Sequence, residues 1–134
     1  MRPLSLLQIA NVSGLGGTGA TAFRLARLLS ARGHRVLFCV PPAGIWGDAA
    51  AAAGVDYTTD IALRRGFRPA TFFRDVRAIK RLVRDRQADI VHVHRSADYW
   101  RAALALGGAD GVGSLLDGLT EQTAHTLALA GCRK

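Results

Sequence analysis

Short apolar runs alternate with stretches of helical spacing along most of this chain, and this alternation constrains the fold more than any other feature. Residues 4–12, 34–40 and 88–94 are apolar runs bounded by turn-forming residues, as expected of buried strands. Helical patterns separate these runs. Because parallel strands are joined by right-handed crossovers, this order predicts a Rossmann-like α/β fold with a parallel sheet and flanking helices.

The helical stretches carry their own start and stop signals. Glycines close the helices that are predicted within residues 20–33 and 43–55, and a short third strand is predicted near residues 55–59. Pro69 opens a long helix, since proline is tolerated at the first helical position. A further helix is predicted from Asp98, which would cap it.

The length and charge of the chain limit its class and its partners. At 134 residues it is long enough for one domain with its own core, and 49% hydrophobic and 21% charged residues are typical of a globular protein. A net charge of +8 favours anionic partners, such as phosphorylated ligands, nucleic acid or a lipid surface. No recognised module or aromatic platform accompanies this charge, so we do not expect nucleic acid as a partner.

A glycine-rich loop lies between the first strand and the first helix, with the pattern Gly14-x-Gly16-x-x-Gly19. Backbone N–H groups in such a turn can approach a phosphate, which the helix N-terminus attracts. A dinucleotide site also needs an acidic residue at the end of the second strand, where this sequence has FCVPP. No Lys-Ser/Thr pair follows Gly19, which excludes a P-loop. The motif predicts a phosphate or ligand loop without dinucleotide specificity, with a purely structural turn as the alternative.

The long helix that Pro69 opens is amphipathic. Its predicted apolar face consists of Phe72, Val76, Ile79 and Val83, and its basic face of Arg74, Arg77, Arg81 and Arg84. Such a basic face is commonly solvated, but it can also contact anionic lipid or a phosphorylated acceptor. The N-terminal apolar run is too short for a membrane span and lacks a signal-peptide cleavage site. We therefore expect a cytoplasmic protein, with peripheral contact at the inner membrane face as an option.

His92 and His94 lie two residues apart, hence on one face of the fourth strand. His-x-His can supply half of a zinc site, but no further cluster of ligands completes it, so no metal is expected. His94 ends its strand, where open α/β sheets bind ligands, whereas His92 is expected to be a packing residue. Trp46 and Trp100 are also expected to pack, and Trp100 is placed to line a cleft.

Several segments taken together resemble a known family. The segments IANVSGLGGTGATAFRLARLLSARGHRVLFCVPP and LRRGFRPATFFRDVRAIKRLVRDRQADIVHVHRS are similar to the N-terminal domain of retaining GT-B glycosyltransferases, in particular the family-four group. The resemblance covers about residues 4–106. It implies an enzyme with two Rossmann-like halves facing a cleft, in which this chain is the half that mainly holds the acceptor.

The resemblance also implies roles for individual residues. Gly16 and Gly17 would approach the diphosphate of a nucleotide-sugar donor, and His94 would reach the transferred sugar. Thr18 stands close to where many members carry an acidic residue, so the sequence departs from the family pattern there. The acceptor would be a glycan, a lipid-linked molecule or a small molecule. The nucleotide sugar is a substrate in this chemistry, so the resemblance implies no cofactor.

The last part of the chain differs in character. Residues 107–134 are glycine-rich and then weakly helical, with no strand as apolar as the first two. We expect residues 1–106 to be the acceptor-side domain and residues 107–134 to be an atypical tail of a truncated or frameshifted product, inactive on its own. The alternatives are a non-catalytic ligand-binding or interaction module made from half an enzyme, and, third, an NAD(P)-binding Rossmann protein.

Overall fold

The computed structural model describes residues 2–12, 14–62, 68–94, 101–102 and 104–106, together with the backbone of residues 125–128. The strands are β1 (Ser5–Ile9), β2 (Arg35–Cys39), β3 (Tyr57–Thr58), β4 (Ile90–Val93) and β5 (His125–Ala128), and the helices are α1 (Gly17–Ala31), α2 (Trp46–Ala52) and α3 (Pro69–Asp85). Residues 101–102 and 104–105 are also helical. The strands and helices predicted between residues 4 and 94 are confirmed, with bounds that differ by a few residues.

The strands form one sheet in the order β3-β2-β1-β4-β5. The first four are parallel, and Leu7 of β1 lies beside Leu37 of β2 on one side and Val91 of β4 on the other. The predicted parallel α/β sheet is therefore confirmed. β5 runs antiparallel to β4, so the weakly helical character expected of the tail is wrong at residues 125–128. Pairing with the edge of β4 outweighs a weak local preference for helix.

The two faces of the sheet pack against different helices. Leu7, Ile9 and Val91 belong to the core that α3 covers through Ile79 and Leu82. The opposite face packs against α1 and α2, and its buried members include Leu6, Ala10, Val36, Phe38, Ala22, Ala26 and Trp46. Strands buried on both faces need apolar residues at nearly every position, which explains the continuous apolar runs in the sequence.

The ends of the helices follow local backbone chemistry. Gly33 follows α1 with φ of 88°, and Gly54 follows α2 with φ of 69°. These left-handed conformations strain a residue with a Cβ atom, so glycine ends both helices as predicted. α3 begins at Pro69 itself.

α3 buries a face that is rotated from the predicted one. Ile79 is buried, Val76 and Val83 pack at the edge of the core, and Phe72 is only half-buried. The centre of the buried face consists of Asp75, Ala78, Ile79 and Leu82. The predicted face therefore contacts the core through three of its four residues, but its list of apolar residues did not include Asp75, Ala78 and Leu82, which are also buried.

Asp75 is fully buried because its carboxylate is paired. Its Oδ1 atom accepts a hydrogen bond from the backbone N–H of Ala62 at 2.9 Å, and its Oδ2 atom lies 3.3 Å from Nε of Arg101. The Arg101 guanidinium also lies 5.6 Å from the centre of the Phe72 ring. A buried charge is tolerated in this way only when it is paired and hydrogen-bonded.

Some predictions fall outside the described residues. Asp98 and Trp100 lie there, as do residues 107–124 and 129–134. The predicted boundary at residue 106, with an acceptor-side domain before it and an atypical tail after it, stays a prediction.

Candidate functional site

The loop between β1 and α1 spans residues 10–16 and leaves the sheet at the carboxyl ends of the parallel strands. Gly16 occupies the N-cap position of α1 in extended conformation, with no side-chain hydrogen bond, and the first turn of α1 contains no acidic residue. Gly17 and Thr18 are exposed in that turn. Since the described residues supply no capping side chain, the first N–H groups of α1 can bind an anion.

Glycine is present in this loop and in the first turn of α1 for different structural reasons. A Cβ atom at Gly14, Gly16 or Gly17 would have no neighbouring atom within 4 Å. A Cβ atom at Gly19 would lie 2.6 Å from ring atoms of Trp46. Gly19 is therefore required for the close packing of α1, whereas the earlier glycines leave the backbone open to an approaching ligand.

Trp46, the first residue of α2, contacts the loop between β1 and α1, which we call the glycine loop. Its indole Nε1 donates a hydrogen bond to the carbonyl oxygen of Gly14 at 3.1 Å, and its ring centre lies 5.6 Å from that of Phe23. The side chain is buried, so the predicted packing role is confirmed. No sequence pattern predicts that this indole contacts the loop, because the two segments are 32 residues apart.

The strand order places His94 beside the same loop. β1 and β4 are neighbours although β2 and β3 separate them in sequence, so the order of the strands reverses between them. The backbone N–H of His94, which follows β4, donates to the carbonyl oxygen of Ile9 at 3.1 Å. Loops that leave two strands at such a reversal diverge and form a crevice, where open α/β sheets bind ligands. The loop with Gly16 and Gly17 therefore begins next to His94.

His92 and His94 form one stacked pair, with ring centres 4.3 Å apart and an interplanar angle of 29°. Burial and, next, the neighbouring His92 lower the pKa of His94 to about 4, and burial also lowers the pKa of His92. Both rings are therefore neutral near pH 7, and each carries one N–H donor and one acceptor nitrogen. The packing role predicted for His92 and the ligand role predicted for His94 therefore fall on two rings in direct contact, and both roles stay predictions.

Gln8 lies beside His92 in the register of β1 and β4. Both amide atoms of Gln8 and the Nε2 atoms of His92 and His94 are buried, and none has a hydrogen-bond partner among the described residues. Each group of this kind that stays without a partner costs about 1–3 kcal/mol, and no described residue uses the hydrogen-bonding capacity of this cluster. The sequence reasoning missed Gln8, although it is the polar residue inside the run LLQIA. A ligand reaches Nε2 of His94 only after the ring rotates or its neighbours move.

The arginines of the predicted basic face form a separate surface. Arg74, Arg77, Arg81 and Arg84 are exposed on α3. α3 covers one face of the sheet. α1 and α2 cover the opposite face, which also carries the side chains next to the glycine loop. The structure therefore does not bring these arginines together with Gly16, Gly17 and His94.

The described residues form neither a metal-binding cluster nor a membrane-spanning helix. They include no group of three His, Cys, Asp or Glu side chains that could hold a metal ion. No helix in the described part of the chain is long and apolar enough to cross a membrane.

Comparison with known proteins gives a family for the sequence and a similar fold for the structure. The model of Glycosyltransferase Family 4 matches residues 15–116. The structure is similar in fold to the crystal structure of a glycosyltransferase from Rickettsia africae ESF-5, with a TM-score of 0.64 and 18% sequence identity over 78% of this chain. The chain spans 27% of the length of that glycosyltransferase. None of the curated proteins compared with the chain matches it. Since the family model covers most of the sequence, the chain belongs to Glycosyltransferase Family 4.

Proposed function

We propose that this chain is the acceptor-side domain of a retaining glycosyltransferase. The enzyme would transfer a sugar from a nucleotide-diphosphate sugar to a glycan, a lipid-linked acceptor or a small molecule, in the cytoplasm. The observation that supports this most is the position of the glycine loop and His94 on adjacent strands, where the strand order reverses. Family membership supports glycosyl transfer as the class of reaction.

The glycine loop would bind the donor diphosphate. The open backbone at Gly16 and Gly17 and the uncapped start of α1 favour negative charge that develops on a departing diphosphate. Thr18 adds an exposed hydroxyl group in the same turn, where an acidic residue would repel that charge. Trp46 would keep the loop in position through its hydrogen bond to Gly14.

His94 would position the transferred sugar. A neutral imidazole both donates and accepts hydrogen bonds, which suits a sugar hydroxyl group. Its lowered pKa keeps it neutral at physiological pH. Transfer from a nucleotide sugar depends mainly on orientation and on stabilising the leaving group, so a nucleophile and base within this domain are not required.

Two other functions are weaker alternatives. An NAD(P)-binding protein would need an acid after β2, but Val40 and Pro41 follow the strand. A non-catalytic binding module would use the same loop without transfer. We expect most of the donor affinity to come from a second Rossmann-like domain, so the chain alone should bind nucleotide sugar weakly and transfer nothing.

Backbone NMR tests the loop. Inorganic pyrophosphate and a nucleotide sugar should shift the amide signals of Gly16, Gly17 and Thr18, whereas NADH should bind no more tightly than pyrophosphate, because no acid follows β2 to hold its ribose. Gly17 is the first residue of α1, so Gly17→Pro removes one N–H group at a position where proline fits the helix. Gly17→Ala is the matched control, since it keeps the N–H group. Equal binding by both variants, or NADH binding much tighter than that of pyrophosphate, would contradict the assignment.

The turnover number of a completed enzyme tests the proposed role of His94. When the chain is joined to the donor domain of a family member, His94→Ala should lower kcat about a hundredfold, as expected when the reacting sugar is misplaced. His92→Ala is a poor control because the two rings stack. His34→Ala is a better control, because His34 lies at the amino ends of the parallel strands, away from the candidate site. There its Nδ1 accepts a hydrogen bond from Leu4 N–H at 3.0 Å. Sugar transfer by the isolated chain, or full turnover with His94→Ala, would contradict the proposal.

A further inference from the structure

Gln8 is a polar residue in the middle of a buried strand. Its neighbours Leu7 and Ile9 belong to the core on the α3 side of the sheet, so the side chain of Gln8 projects from the opposite face, toward α1 and α2. Gln8 has no exposed surface. Neither its amide nitrogen nor its amide oxygen has a hydrogen-bond partner among the described residues. A buried amide without a partner is costly, so a glutamine at this position indicates a role beyond packing.

Most of the side chains around Gln8 are apolar. Its register partner on β2 is Phe38, and the residues two positions away on the same face of β1 are Leu6 and Ala10. All three are buried. The residues that α1 buries carry no polar side-chain group either: Gly19, Ala22 and Ala26. On β4, by contrast, the register partner of Gln8 is His92. The amide of Gln8 therefore finds hydrogen-bonding side chains on the β4 side of its strand.

The two histidines on that side complement the amide. The Nε2 atoms of His92 and His94 are buried and have no hydrogen-bond partner in the described part of the chain. Burial lowers the pKa of both rings, so both are neutral near pH 7. A neutral imidazole presents a donor at one nitrogen and an acceptor at the other, and a carboxamide presents both kinds of group. Gln8 can therefore pair with either tautomer of His92 after its amide rotates.

We propose that Gln8 is a positioning residue for His94. Its amide hydrogen-bonds to Nε2 of His92 and fixes the tautomer and orientation of that ring. The His92 ring, whose centre lies 4.3 Å from that of His94, then restricts the orientations in which His94 meets a sugar hydroxyl group. Groups that contact a substrate keep their geometry when packing and neighbouring hydrogen bonds hold them. The contact with sugar rests on the proposed function, whereas the bond between Gln8 and His92 forms in the chain alone.

NMR of the chain alone tests the hydrogen bond. In the natural sequence, nuclear Overhauser contacts should join the side-chain amide protons of Gln8 to the ring protons of His92, and the nitrogen spectrum of that ring should show one tautomer. Gln8→Met keeps the length of the side chain and removes its hydrogen-bonding groups. This variant should move the Nε2 signal of His92 and mix the two tautomers. The control is Leu6→Met, two positions earlier on the same face of β1, which should leave the ring signals unchanged.

The kcat of the completed enzyme tests the positioning. When the chain is joined to the donor domain of a family member, Gln8→Met should lower kcat about tenfold, the loss expected when one hydrogen bond that orients a contacting group is removed. The KM for the donor should stay unchanged, because Gln8 touches no substrate. Since Gln8 acts through His94, adding Gln8→Met to His94→Ala should lower kcat no further. Leu6→Met should retain full kcat.

Each measurement can overturn the proposal by itself. If the natural chain shows no contact between Gln8 and His92, or if Gln8→Met and Leu6→Met change the ring signals equally, the hydrogen bond is refuted, whether or not the joined enzyme transfers sugar. Full kcat with Gln8→Met, or a further tenfold loss in the His94→Ala background, would make Gln8 a structural residue only. Full turnover with His94→Ala would instead overturn the proposed function and the sugar contact, while NMR would still decide whether Gln8 holds His92.

Discussion

The indole ring of Trp46 packs directly on the backbone of Gly19, where ring atoms lie 2.6 Å from the position that a Cβ atom would take. We expect Gly19→Ala to lower the free energy of unfolding by about 1–2 kcal/mol, because overpacking outweighs the better helix propensity of alanine. Gly17→Ala, in the same helix but without neighbours within 4 Å, should change stability by less than about 0.5 kcal/mol or raise it. Urea unfolding measures both. Equal effects would show that the indole is not fixed against Gly19.

The stacked histidines should make stability depend on pH. Their pKa values are lowered in the folded protein, that of His94 from 6.5 to about 4, so the unfolded chain binds more protons between these values. The stability that the neutral pair contributes is complete above pH 6.5 and is lost as the pH falls toward about 4. Urea unfolding at several pH values should show this loss.

The variant His92→Phe/His94→Phe separates this effect from other titrations. The remaining histidines and the carboxylates are the same in both proteins, so their contributions cancel in the difference. The variant should lose less stability than the natural sequence when the pH falls from neutral to about 4.5, a range in which histidine is the main side chain that titrates. Identical pH profiles would mean that the two rings are solvated in the folded protein.

The buried ion pair of Asp75 and Arg101 should be sensitive to loss of one partner. Asp75→Asn keeps an acceptor for the N–H of Ala62 but removes the negative charge beside the buried Arg101 guanidinium, at a cost of about 3–5 kcal/mol. Asp85→Asn is the control on the same helix, because Asp85 pairs with Arg84 in solvent and such pairs contribute about 0–1 kcal/mol. Comparable losses in thermal or urea unfolding would contradict the buried position of Asp75.

The thiol of Cys39 should be inert in the folded protein. Cys39 lies on β2 with no exposed surface, and burial raises its pKa to about 12. In a Cys132→Ser background, a thiol-specific reagent should therefore label the chain at about a thousandth of the rate of a free thiol, or more slowly. Labelling should become complete in urea. Rapid labelling without denaturant would show that β2 opens readily.

The sequence alone determined the strands and helices between residues 4 and 94 and the class of fold, but it did not indicate β5. Apolar runs, helical spacing, Gly33, Gly54 and Pro69 are local signals, since each reflects backbone geometry or burial within a few neighbouring residues. The same reasoning predicted a phosphate or ligand loop from Gly14 to Gly19 and a site at the end of the fourth strand, while the resemblance to glycosyltransferases singled out Gly16, Gly17 and His94.

Only the tertiary structure decided which of these features meet. The reversal of strand order between β1 and β4, the contact of Trp46 with Gly19 and the stacking of His92 on His94 depend on how distant segments and side chains pack. Asp75 gives the clearest physical reason. Its charge predicts solvent exposure, and it is buried because Arg101, which lies far along the chain, supplies the opposite charge in the core. A local pattern cannot specify such pairings, because they are set by the free energy of packing between elements that only the folded chain brings together.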